Sequence, residues 1–147
     1  MKTMGLDRFV IAQESDYNNA LREVINGRKQ THWMWYIFPQ IQGLGYSETA
    51  KYFAIRDLEE ATEYLNHPVL GERLLRITAE LLKLESSTAQ IFGSPDDLKL
   101  RSSMTLFAAV KDSSPLFGQV LERFFNGRKD EKTLSKIMKY NGNQDFY

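Results

Sequence analysis

The chain holds 147 residues, with 19 basic and 19 acidic side chains, two histidines and no cysteine. The neutral balance gives no overall field for nucleic acid or anionic lipid, and the lack of thiols removes disulfides, thiolate nucleophiles and thiolate-held metals together. Two histidines cannot build a histidine-rich zinc site, and the opening MKTMGLDRFVIAQ reaches Asp7 before it forms the apolar run of a signal peptide or membrane span.

The expectation is a soluble cytoplasmic protein with no metal, no cofactor, no membrane partner and no nucleic-acid role. Its length gives one core, burying roughly 70% of the surface an unfolded chain exposes. In chain order, apolar spacing is helical almost throughout and shows no linker, so an all-α, single compact multihelical domain over residues 1–147 is expected. LDRFVIAQ predicts a short first helix. Asp16 predicts a cap for a second helix through Tyr17, Leu21, Val24 and Ile25, ended by Gly27 as a left-handed residue. The run from His32 to Phe38 is nearly all apolar and aromatic, and Pro39 forbids its simple helical continuation. Periodicity does not separate helix from strand there; the surrounding helices favour a short buried helix opened by Thr31, with a strand as the alternative. A polar loop follows, QIQGLGYS, in which Ser47 caps the next helix.

Further on, His67 forms a turn and Pro68 a helix start, followed by one stripe of Leu70, Leu74, Ile77, Leu81 and Leu84. Glu72 stands four residues before Arg76, a favourable pairing. At Gly93 one helix stops and another starts, with Ser94 as cap, Pro95 at the first helical position, and Asp96 and Asp97 in the positively polarised first turn. Ser114 and Pro115 repeat that opening for a helix with Leu116, Val120 and Phe124 on one face and Phe117, Leu121 and Phe125 beside them. Gly127 ends it. A last helix starts near Asp130 and carries Leu134, Ile137 and Met138; from about residue 140, NGNQDFY reads as a frayed tail. LREVINGRK at 21–29 echoes LERFFNGRK at 121–129, which we read as a repeated helix stop because the flanking sequences differ.

No nucleophile elbow and no His-Glu-x-x-His pair is present, and RDLEEATEYL is a solvated helix face rather than a metal site. Two segments remain as candidates for chemistry. In the first, Trp33, Trp35 or Tyr36 would offer a flat face to a ring, and His32 is the proton-transfer candidate. Gln40 and Gln42 would donate and accept, Gly43 and Gly45 would let backbone approach a ligand, and the helix start at Ser47 would present amides to an anion. GLGYSE lacks the third glycine of a dinucleotide fingerprint and the Gly-Lys-Ser/Thr of a phosphate loop. The competing reading is that both tryptophans are core.

The second segment is the helix start at Ser94. Asp97 and Arg101 stand one turn apart and can pair; Lys99 and Ser103 lie on another face, and Ser102 and Thr105 on the side of Leu98. From Met104 to Val110 only Thr105 is polar, which implies burial all round. A buried lone charge is costly, so Asp97 and Arg101 must be solvated, paired or turned to a polar cavity. Arg101 or Lys99 would then hold a phosphate or carboxylate and Asp97 would orient a hydroxyl or water. The competing reading is a capped central helix whose hydroxyls bond the preceding turn.

GRKQTHWMWYIFPQIQGLGYSETAKYFAI, YLNHPVLGERL and IFGSPDDLKLRSSMTLF resemble a bacterial family of unknown function, some of whose members once carried a calpastatin label. The resemblance runs from about Leu6 to Leu134. Its most specific parts are Trp-x-Trp-x-x-Phe-Pro-Gln and Ser-Pro-Asp-Asp-Leu-Lys-x-Arg-Ser-Ser-Met-Thr-Leu-Phe. It implies a compact multihelical fold with two central buried helices and favours helix over residues 32–38, and it carries over no catalytic residue. The calpastatin label finds no support, since such an inhibitor is a long disordered chain and this one is aromatic. More loosely, the order of an aromatic segment, SETAKYF and a late helix rich in Lys, Arg and Asp is similar to helical domains that process ADP-ribose and related N-glycosides, which implies only a nucleotide-like ligand.

The expected function is binding of an anionic, nucleotide-like or sugar-phosphate molecule between the aromatic segment and the Ser94 helix. The residues expected to hold it are His32, Trp33, Gln40, Gly43, Gly45, Ser47, Asp97, Lys99, Arg101, Ser102 and Ser103. Cleavage of an N-glycosidic or phosphate-bearing ligand is the reaction if the protein is an enzyme. The alternative is a non-catalytic protein–protein interaction module that uses exposed aromatics and the basic tips at Arg28, Lys29, Arg128 and Lys129.

Overall fold

Nothing between Leu6 and Asn26 is a proline or glycine, and the first helix uses that freedom. The computed structural model describes residues 3–140, and in it α1 runs unbroken over Thr3–Ile25. It buries Phe9, Gln13, Tyr17, Ala20 and Val24 on one stripe. The predicted break at Asp16 does not occur. Its carboxylate accepts a short hydrogen bond from the Tyr36 phenol, so a tertiary partner takes the place of a capped helix start. Gly27, at φ 79°, ends the helix as expected.

The aromatic segment forms one helical turn, α2, over Met34–Ile37, which decides for helix over strand. Thr31 does not open it, because its hydroxyl donates to Glu23 at 2.8 Å and Trp33 occupies the cap position. Ser47 does cap α3 (Glu48–Tyr52), accepting from the Ala50 amide. The loop between these helices is tied at its base by a parallel bridge of Ile41 and Ile55, through the bonds Gln42 N–H to Ile55 carbonyl (2.9 Å) and Ile55 N–H to Gln40 carbonyl (2.8 Å).

Asp57 caps α4 (Leu58–Asn66), and α5 (Leu70–Leu81) follows through a turn. His67 holds that turn: its Nδ1 accepts from the Val69 and Leu70 amides at 3.1 and 3.2 Å. Pro68 lies within the turn, two residues ahead of the helix rather than at its start. Arg76 pairs forward with Glu80 at 3.5 Å instead of back with Glu72. At Gly71 the two helices approach so closely that a Cβ would stand 2.1 Å from the Leu65 carbonyl oxygen. Ser87 and Gln90 form a reciprocal capping box on α6 (Thr88–Phe92), a signal the sequence carried in SSTAQ and our reading missed.

Helix α7 (Asp96–Ala108) starts one residue later than the Ser94 cap would require, after a cis Ser94–Pro95 bond. Ser94 makes no cap bond, because the Asp97 amide it would satisfy is already bonded to the Gly93 carbonyl at 2.9 Å. From Leu100 onward α7 is central: Ser102 through Phe107 are all buried, and it packs on α4, α6, α8 and α9. Helix α5 packs on α1, α4 and α8 and leaves Glu72 and Arg76 exposed. Helix α8 (Leu116–Phe125) opens with the Ser114 hydroxyl accepting from the Leu116 amide and closes at Asn126 and Gly127, both left-handed. Asp130 caps α9 (Glu131–Tyr140) through the Thr133 amide at 2.9 Å. The predicted frayed tail lies, from residue 141, outside the described residues. The fold is all-α, and among the described residues no helix is long and apolar enough to cross a membrane.

Candidate functional site

The site begins with a carboxylate that sequence reading did not single out. Glu23 is 7% exposed and has no cationic partner among the described residues. It accepts from Trp33 Nε1 (2.8 Å), the Gln30 and Thr31 amides (2.8 and 3.1 Å), the Thr31 hydroxyl (2.8 Å) and Asn19 Nδ2 (3.0 Å). Burial opposes its ionisation, yet these donors outweigh burial and hold its pKa down to about 2. The clamp fixes Trp33, which is 1% exposed and packs against Phe38 and Phe92, as core. Three residues on, Tyr36 binds Asp16 and the His32 carbonyl, and burial first, then Asp16, push its phenol pKa up. The short helix is thereby pinned to α1 on both sides of Trp35.

The Trp35 ring itself lines a cavity of about 420 Å3 between the Gln40–Tyr46 loop, α3 and the end of α9. The walls are mostly rings and aliphatic groups, with Phe53, Tyr46, Tyr140, Ile41 and Leu44 beside Trp35. The polar points are few. Gln42 is committed to the Arg56 carbonyl at 2.8 Å, whereas the Gln40 amide and the Lys51 ammonium have no side-chain partner among the described residues. Lys99 stands on the Trp35 ring, 3.8 Å from its centroid, and pairs with Asp96 at 3.2 Å. Asp96 also holds Lys29 at 2.9 Å, and Lys29 lies over Trp33 at 5.1 Å. One carboxylate therefore joins the start of α7 to the aromatic segment through two cation–ring contacts. The two signature segments touch.

Below that junction, a depression of about 500 Å3 is lined by Arg101 and Ser102 from α7 and by Arg128 through Lys132. Four cations meet two carboxylates there. Arg101 pairs with Asp130 at a long 3.7 Å, its Nε is buried without a partner, and Arg128, Lys129 and Lys132 have no ion pair among the described residues. A smaller depression of about 300 Å3 lies along α9, lined by Gly43, Leu44, Tyr46, Lys132, Ser135 and Lys136.

The expected residues divide accordingly. Gln40, Gly43 and Gly45 line the aromatic cavity, and Arg101 and Ser102 line the basic depression. Lys99 reaches the first only through Trp35. His32 is exposed and lines neither; Trp33 is buried and offers no face. Asp97 does not pair with Arg101, because it accepts from the adjacent Leu98 amide at 2.8 Å while Arg101 turns to Asp130. Ser47 is spent on its cap. Ser102 donates to the Leu98 carbonyl, and Ser103 is wholly buried with no partner for its hydroxyl. Protein also comes close to the two loop glycines. A Cβ on Gly43, which has φ 93°, would meet Lys136 and Tyr140 at 3.0 Å, and one on Gly45 would meet Ala50 at 2.8 Å. Lys132, Lys136 and Tyr140 were missed; their spacing of four puts them on one face of α9, a pattern masked by our attention to its apolar positions.

Compared with known proteins, residues 3–137 match the family described as Protein of unknown function (DUF1810). No curated protein matches significantly. A crystal structure of a conserved hypothetical protein from Mycobacterium tuberculosis is 44% identical, with a TM-score of 0.88 over 90% of this chain and 95% of that one. The chain thus belongs to the DUF1810 family of proteins of unknown function.

Proposed function

We propose that this protein binds a small nucleotide-like or sugar-phosphate molecule, its planar part seated in the cavity beside Trp35. The observation that carries this reading is a concave wall of rings with a few uncommitted polar groups, in a volume of about 420 Å3. Pockets for small organic ligands have this make-up and a size of roughly 300 to 1,000 Å3. The described residues lining the cavity include no carboxylate and no imidazole, so the reading is binding, with no hydrolytic role assigned to His32 or Asp97. A second reading rests on Tyr46 and Tyr52, which are 82% and 61% exposed: these rings would meet a partner protein and the cavity would stay unliganded.

Calorimetric titration with ribonucleosides, ribonucleotides and sugar phosphates separates the two. Saturable binding is expected, abolished by Ala54→Leu, whose longer side chain narrows the cavity. Absence of heat across the panel at millimolar ligand would refute the small-molecule reading and leave the partner-protein reading standing.

A further inference from the structure

The aromatic cavity, the small depression along α9 and the basic depression adjoin one another. The first two share Gly43, Leu44 and Tyr46, and the second and third share Lys132. One edge of α9 runs the whole way: Tyr140 at the aromatic end, Lys136 in the middle, Lys132 at the basic end. Residues four apart lie on one helix face, and eight residues at 1.5 Å each span roughly 12 Å. At the far end, Arg128 and Lys129 are exposed and lack ion pairs among the described residues, and Arg101 keeps a buried Nε unbonded. Asp130 and Glu131 leave two positive charges uncompensated in that depression.

We infer that the ligand is a nucleoside polyphosphate, with its base beside Trp35 and its phosphates laid along Lys136 and Lys132 toward Arg101 and Arg128. This rests on the binding reading above and extends it from a ring-sized cavity to a track about as long as an extended nucleoside triphosphate. A planar head alone leaves the cations without a partner, and an inorganic polyphosphate alone leaves the rings uncovered. A molecule that carries both matches the sequence of surfaces. Guanidinium groups suit phosphate oxygens because they donate in a planar fork, and unpaired lysines add charge without geometric demand.

The test is a titration series of nucleoside, mono-, di- and triphosphate, with inorganic tripolyphosphate alongside. Affinity is expected to rise about tenfold or more from nucleoside to triphosphate and to fall with salt. In the doubly substituted protein Lys132→Ala/Arg128→Ala, both sites being exposed, triphosphate affinity should fall toward that of the nucleoside while nucleoside binding is unchanged. If nucleosides bind and added phosphates bring nothing, the inference is overturned and the cavity reading stands. If tripolyphosphate binds as tightly as the triphosphates and no nucleoside binds, the cavity reading fails and this inference falls with it. Tighter binding of single-stranded oligonucleotides than of any mononucleotide, lost in the same variant, would overturn the small-molecule class.

Discussion

Glu23 gives the sharpest prediction about how the site is held. In the folded protein its carboxyl is drawn from an ordinary 4.5 to about 2 by donors from Gln30, Thr31 and Trp33 that outweigh its burial. Because the folded value is the depressed one, the stabilisation is fully present above the unfolded value and is lost as pH falls through the interval between the two. Linkage converts the shift to about 3 kcal/mol near pH 7 and about 1 kcal/mol near pH 3. Glu23→Gln keeps the shape but leaves one uncharged accepting oxygen for the Trp33 indole and the Gln30 and Thr31 amides, and turns an NH2 donor toward Asn19 Nδ2 and the Thr31 hydroxyl. It should therefore cost about 3 kcal/mol near neutrality. Urea unfolding of both proteins at several pH values measures the gap, which should narrow by ~2 kcal/mol between neutral and acid conditions. A gap that stays constant with pH would show that the carboxylate charge is not what secures the aromatic segment.

Three further outcomes follow from the packing. Gly71→Ala should destabilise by about 1 to 3 kcal/mol in denaturant melts, because the added methyl meets the Leu65 backbone, although helix propensity alone predicts a gain of about 1 kcal/mol. Ser103→Ala should leave stability unchanged or raise it by up to about 1 kcal/mol, since the hydroxyl is buried without a partner; a loss of that size would show the hydroxyl to be bonded. Lys99→Ala should cost ~0.5 to 1 kcal/mol and alter Trp35 fluorescence while leaving Trp33 unaffected, which the emission of a Trp35→Phe background would verify.

What sequence reading recovered was local. Gly27, Ser47, Gly127 and Asp130 act within a turn of themselves, so their types and neighbours announced helix ends correctly. The α5 stripe is periodic and the later half of α7 is apolar nearly all round, so both stood out from their own residues. The failures were set by partners distant in the chain. Asp16 does not cap because Tyr36, twenty residues on, takes its carboxylate, and Thr31 is drawn to Glu23. The candidate site shows the same division. Sequence reading placed chemistry on the aromatic segment and on the start of α7, and the two do meet through Lys99 and Trp35. It allowed Arg101 an ion pair with Asp97 and did not foresee Asp130, which comes from the α8–α9 connection. It did not foresee that α9 and α3 come close to Gly43 and Gly45, which line the cavity.

We propose a planar ligand in the cavity beside Trp35. Intermolecular nuclear Overhauser effects between the base protons of a bound ribonucleotide and side-chain protons of the protein test it most directly. Contacts to Trp35, Phe53 and Tyr140, the rings that wall the cavity, are expected. Contacts confined to any other surface at saturating nucleotide would contradict it.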